Sequence, residues 1–253
     1  MRRIRSMKGF WFLGLFLGVL ACNQAQRRAE STVAAVKDSV IEEFVLAEPE
    51  PLTGMARYLD SLGLINVGLQ DSTLVVDLMY AKPDNFTGRI LYTDLTEAYL
   101  EPQVAEAVVK AQRLLKERFP TYSLIIYDAA RPMSVQQQMW DVVKGTSQFR
   151  YVSNPSRGGG LHNYGLAVDV SLLDEKGDTL SMGTVVDHLG IESHITQEEQ
   201  LVREGILSAE AKQNRELLRE IMREAGFHPL ASEWWHFNWC SRKEAQEKYT
   251  RID

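Results

Sequence analysis

Apolar residues recur at helical spacing between Pro102 and Phe119, where Val104, Ala107, Val108, Ala111, Leu114 and Leu115 line one face. A period near 3.6 predicts an amphipathic helix there, with Pro102 in the first turn, where its missing N–H costs no bond. Ser134 to Lys144 is predicted as a second helix, capped by Ser134 and stopped at Gly145. Ala209 to Ala225 is predicted as a third, with Ser208 as N-cap and Gly226 placed for a left-handed C-terminal turn. Short β-branched and aromatic runs at Leu74–Leu78 and Ser123–Tyr127 read as strands. So does 166–172, where Leu166, Val168, Val170 and Leu172 alternate with Ala167, Asp169 and Ser171 to give one apolar face. Strands and helices do not alternate regularly. The pattern therefore predicts an α+β fold with an antiparallel sheet flanked by helices, rather than a doubly wound parallel sheet.

The N-terminus follows a different rule. Arg2, Arg3, Arg5 and Lys8 precede an apolar run from Gly9 to Ala21, and Cys22 follows. That order of charge, short apolar stretch and small residue is an export signal, too short for an ordinary membrane span. Val19-Leu20-Ala21-Cys22 resembles the lipobox of bacterial lipoproteins, which implies cleavage before Cys22 and its acylation; a plain signal peptide or an uncleaved anchor helix is the alternative. Residues 1–21 are thus expected as a lipoprotein signal peptide, 22–57 as a tether rich in charge, Ala, Val and Pro, and 58–253 as the catalytic domain. The expected location is the cell envelope, lipid-anchored on its periplasmic or outer-membrane side.

Composition narrows the function. With 45% hydrophobic and 25% charged residues the chain is of globular type. Its net charge of −6 becomes −10 once residues 1–21 and their four cations are removed, and no basic stripe marks a nucleic-acid binder. The only cysteines are Cys22 and Cys240. A lipidated Cys22 leaves no disulfide, so a metal site must be built from histidines and carboxylates.

Of five histidines, two stand in unusual sequence: His162 in a Gly-rich loop (residues 158–165), and His236 in Glu233-Trp234-Trp235-His236-Phe237. Asp169 points away from the apolar face of its strand, where a carboxylate is costly unless paired or bound to metal. His162, Asp169 and His236 would leave the fourth tetrahedral position of a zinc ion open, the layout of a catalytic site. Glu233 is the candidate proton acceptor. On a regular strand positions 233 and 236 face opposite sides, so Glu233 is expected at a strand end or bulge.

Five blocks occur in order: Tyr80-Ala81-Lys82-Pro83-Asp84-Asn85-Phe86-Thr87-Gly88, Asp128-Ala129-Ala130-Arg131-Pro132, His162 through Asp169, Met182-Gly183-Thr184-Val185-Val186-Asp187, and Glu233-Trp234-Trp235-His236. Over roughly residues 75–240 they resemble the VanX-type D-alanyl-D-alanine dipeptidases, within the zinc D,D-peptidases. The resemblance implies the Hedgehog/DD-peptidase fold, one zinc ion per chain, and hydrolysis of D-alanyl-D-alanine to two D-alanines in cell-wall peptide turnover. It implies His162, Asp169 and His236 as zinc ligands, Glu233 as the base and Arg131 as the cation on the oxyanion. It also implies Asp187 as the partner of the substrate ammonium and Tyr80 as a contact to the substrate carboxylate. One departure concerns the family serine two residues before the first ligand histidine: here that position is Gly160. Backbone N–H groups of residues 158–160 are the expected replacement, or selectivity is relaxed. His188 and His194 receive no ligand role. The alternatives are a D,D-carboxypeptidase or endopeptidase acting on longer wall peptides, and a non-catalytic lipoprotein that binds wall fragments. The oligomeric state stays open.

Overall fold

The computed structural model describes residues 52–253. The expected signal peptide, Cys22 and nearly all of the expected tether lie outside the described residues. Packed structure begins at helix α1 (Gly54–Ser61), capped by Thr53 and with Ala56 fully buried, so it reaches into the last residues of the 22–57 segment.

A two-stranded antiparallel ribbon joins β1 (Ile65–Asn66) to β3 (Tyr99–Leu100). The main sheet runs in the order β2 (Val75–Val76), β4 (Ser123–Asp128), β5 (Ala167–Leu173), β7 (Glu233–Asn238), β6 (His228–Leu230). All neighbours are antiparallel except β2 with β4. The mixed fold with an antiparallel core is as expected. The strand read at Leu74–Leu78 shrinks to two residues because a turn ends at Leu74, whose N–H bonds to the Asp71 carbonyl, and a 3-10 turn begins at Met79.

Helices α2 (Pro102–Arg118) and α5 (Ala209–Ala225) pack on each other and on one face of the sheet, α2 against β4 and α5 against β5, β6 and β7. Their ends follow the expected chemistry: Pro102 in the first turn of α2, Ser208 accepting from the Ala211 N–H, and Gly226 left-handed at φ 115°. Helix α3 (Met133–Val143) departs from expectation at its start. Ser134 is exposed and caps nothing; Pro132 occupies the cap position, and the Met133 N–H donates instead to the Ile252 carbonyl. Two short helices complete the fold, α4 (Glu198–Arg203) and α6 (Arg242–Lys248).

The alternation in β5 gives one apolar face, and the polar face is covered as well: all seven of its residues are buried. Val168, Val170 and Leu172 face the helices, whereas Asp169 and Ser171 face the opposite side, under the long connection that follows β5. That covered polar side carries the chemistry.

Candidate metal centre and substrate cleft

Two irregularities in the sheet set the site. Ile126 pairs with Val170, but the next pair is Asp128 with Asp169, so a bulge at Tyr127 turns Asp128 toward the strand centre. On the other side Asp169 pairs directly with His236. Asp128, Asp169 and His236 therefore form one row across three strands. The second bulge lies in the β6–β7 hairpin, where Pro229 pairs with Phe237 but Leu230 pairs with Glu233. It brings Glu233 to the side of His236, with 4.0 Å between Glu233 Oε2 and His236 Nδ1. Glu233 is the first residue of β7, so the strand-end or bulge expectation holds.

His162 comes from a 3-10 turn after the Gly-rich loop and closes the cluster. Its Nε2 lies 3.3 Å from Asp169 Oδ1 and 3.1 Å from His236 Nδ1; His236 Nδ1 lies 2.9 Å from Asp169 Oδ1. The outer nitrogens fix the tautomers. His162 Nδ1 meets the Ala129 carbonyl at 2.7 Å and His236 Nε2 meets Asn238 Oδ1 at 2.9 Å, and both oxygens can only accept. Both rings thus donate outward and turn lone pairs inward, as second-shell partners arrange metal-ligating histidines. Two ring nitrogens and a carboxylate oxygen then face one another, a donor set suited to a metal cation. Metal–ligand bonds near 2.0 Å in a tetrahedron give ligand–ligand edges of about 3.3 Å, close to the spacing found. The three residues sequence reasoning chose as ligands are the ones brought together.

Burial pushes Glu233 up to about 8. Arg131, on the turn after β4, is buried, and its Nη2 lies 3.9 Å from Asp169 Oδ2. Burial opposes its charge, yet Asp128, to which Nε donates at 2.9 Å, keeps the guanidinium firmly protonated. Asp128 also accepts from the Tyr92 hydroxyl at 2.6 Å, and Arg131 Nη1 donates to Gln136 Oε1 at 3.0 Å.

Arg131, Gln136, His162, Asp169, Glu233 and His236 line a cavity of about 370 Å³, the size of a small-molecule site. Asp187 lines it too, on the connection between β5 and α4. Among the described residues it is the only non-glycine with positive φ, at 64°. Burial raises its carboxyl to about 7, against the opposing bond from Tyr80. The Tyr80 hydroxyl, expected as a contact to a substrate carboxylate, donates here to Asp187 Oδ2 at 2.5 Å. The loop N–H groups are also committed: Gly158 to the Pro155 carbonyl, Gly159 to the Asn154 carbonyl, and Gly160 to Asn163 Oδ1 at 2.8 Å. They are not free to receive a carboxylate.

The sequence pattern of the Peptidase M15 family, described as D-ala-D-ala dipeptidase, matches residues 61–252. The chain belongs to this D-ala-D-ala dipeptidase family. It is similar to the D-alanyl-D-alanine dipeptidase of Escherichia coli K12, 31% identical over 178 residues that cover 70% of this chain and 85% of the relative. Proteins of the same name from Enterococcus faecalis (30% identical, covering 64% of this chain and 83% of the relative) and Synechocystis (28%, covering 55% and 68%) are also similar.

As a member of this metallopeptidase family, the chain carries support residues that sequence reasoning passed over. Asp128, fully buried, anchors Arg131; Asn238 orients His236; Gln136 and Asn163 tie Arg131 to the loop. Asp128 alone left a trace, as an acid closing a buried apolar strand three residues before Arg131. His188 and His194 stay out of the dipeptidase cluster: His188 pairs with Glu192 at 3.0 Å, and His194 meets the Tyr151 hydroxyl at 3.0 Å.

Proposed function

We propose that this chain is a zinc-dependent dipeptidase that hydrolyses D-alanyl-D-alanine to two D-alanines. The reading rests on one observation above all: two imidazole nitrogens and one carboxylate converge at 2.9–3.3 Å, with Glu233 beside His236 and Arg131 beside Asp169. The donor set of two imidazoles and a carboxylate fits zinc with an open position. Zinc held there by His162, Asp169 and His236 supplies Lewis acidity toward the scissile carbonyl and a water acidic near pH 7.

The remaining steps belong to the chain's own side chains. Glu233 accepts a proton from the attacking water as its oxygen bonds to the carbonyl carbon. The Arg131 guanidinium, fixed by Asp128 and Gln136, faces the negative charge that develops on the carbonyl oxygen. Glu233 then gives its proton to the amine nitrogen as the C–N bond breaks. Asp187, with Tyr80 behind it, receives the substrate's free ammonium. A longer peptide carries an amide there and would leave that carboxylate without a charge partner, which favours dipeptides.

The test is release of D-alanine from D-alanyl-D-alanine by the purified chain, with metal content measured alongside. Activity that disappears on chelation and returns with one equivalent of zinc supports the reading. Hydrolysis confined to longer wall peptides refutes the dipeptide assignment, and bound metal without hydrolysis of any D,D-peptide refutes catalysis.

We further propose export and lipid anchoring through Cys22, with turnover of wall-derived dipeptide as the role. The support is the run of basic residues, the apolar stretch Gly9–Ala21 and Val19-Leu20-Ala21-Cys22. Cys22→Ala should move the protein from the membrane to the soluble fraction; a wild-type protein already soluble, with no acyl mass on Cys22, contradicts the anchor.

A further inference from the structure

The cleft needs a partner for the substrate's carboxylate, and the N–H groups of residues 158–160 are already bound within the loop. Gly160 is extended at φ −109°, so no backbone constraint demands glycine. What excludes a side chain is occupancy. A Cβ built on Gly160 would lie 2.8 Å from Ser153 Oγ and 3.2 Å from Ser153 Cβ. The Ser153 hydroxyl thus stands at the place into which a residue-160 side chain would project. Ser153, Gly160 and the metal cluster line the same cavity.

The hydroxyl is held and free. Ser153 follows the buried Val152, and its carbonyl accepts from Gln136 Nε2 at 2.8 Å. Gln136 is itself buried and spends its Oε1 on Arg131, so one amide fixes Ser153 and the oxyanion-side guanidinium relative to each other. Ser153 Oγ has no hydrogen-bond partner among the described residues. The cavity lining also includes Arg242, which donates to the carbonyl of Gly159 beside Gly160.

We infer that Ser153, whose hydroxyl stands where a side chain at position 160 would project, binds the carboxylate of the dipeptide. The inference rests on the dipeptidase reading above. Ser153 donates to one carboxylate oxygen while Asp187, in the same cavity, holds the ammonium. Ser153 makes no covalent bond in this role.

The experiment is a hydroxyl swap in the full zinc-loaded chain, comparing D-alanyl-D-alanine with its C-terminal amide. Ser153→Ala should lower kcat/KM for the free acid about 10- to 100-fold, chiefly through KM, the loss expected for a bond to a charged acceptor. The preference for acid over amide should fall by the same factor. Gly160→Ser alone should also impair the enzyme, since its side chain meets Ser153. The double variant Ser153→Ala/Gly160→Ser, with hydroxyl and space both restored, should recover most of the acid preference. A Ser153→Ala enzyme with unchanged KM, an equal loss on both substrates, or a double variant no better than Ser153→Ala overturns the assignment. A wild-type chain that binds zinc but cleaves neither substrate overturns the dipeptidase reading itself, and this inference with it.

Discussion

The two ends of the cleft are built by different means. The metal donors Asp169 and His236 are cross-strand neighbours in the middle of a sheet, with His162 pinned to the Ala129 carbonyl. Asp187 sits on an irregular connection, in a left-handed conformation, with the Tyr80 hydroxyl on its carboxylate. Strand pairing holds donors to tenths of an ångström, as metal geometry demands, whereas a loop can change length and sequence without disturbing the sheet. The contrast assigns chemistry to the ladder and choice of substrate to the loop.

Four substitutions break or sharpen that division. Glu233→Gln keeps shape but removes the base, so kcat should fall about 10²- to 10⁴-fold with zinc content unchanged. Near-normal turnover in that variant would remove Glu233 from the mechanism. Asp187→Ala acts at the other end: kcat/KM for the free dipeptide should drop roughly 100-fold or more, as expected when a buried charge loses its partner. Cleavage of the N-acetylated dipeptide should change far less. A parallel loss of zinc on elemental analysis would show that loop and ladder are not separable. Asn238→Ala touches only the outer nitrogen of His236 and should weaken zinc about 10- to 100-fold in a competition titration, with KM at saturating metal unaltered. The smallest effect is expected from Tyr80→Phe, about tenfold in KM for the free dipeptide through loss of the bond to Asp187. A Tyr80→Phe variant altered instead in zinc affinity would place that tyrosine on the wrong side of the division.

Much of the ladder side was legible in the sequence. Helix ends at Pro102, Ser208 and Gly226 obey local rules, and the alternation through Asp169 marks a buried strand with a costly carboxylate. Even the difficulty with Glu233 and His236 was visible, because side-chain parity along a strand is simple arithmetic. The supports were not. Asp128 reaches the row only through the bulge at Tyr127, and bulges leave no mark in hydrophobic periodicity. The cap of α3 comes from Ile252, more than a hundred residues away, so Ser134 misled. The approach of Tyr80 to Asp187 and of Ser153 to Gly160 emerges only from proximity in space.

The β6–β7 irregularity has a bearing on engineering. Trp234, Trp235 and His236 are intercalated between the rungs Pro229–Phe237 and Leu230–Glu233, so the glutamate and the imidazole share a side only while three surplus residues remain. A redesign that straightens this segment while keeping its length would, by side-chain alternation, turn Glu233 to the face opposite His236. The two groups cannot be grafted onto another scaffold as independent points; the segment from Leu230 to Asn238 has to travel as one piece.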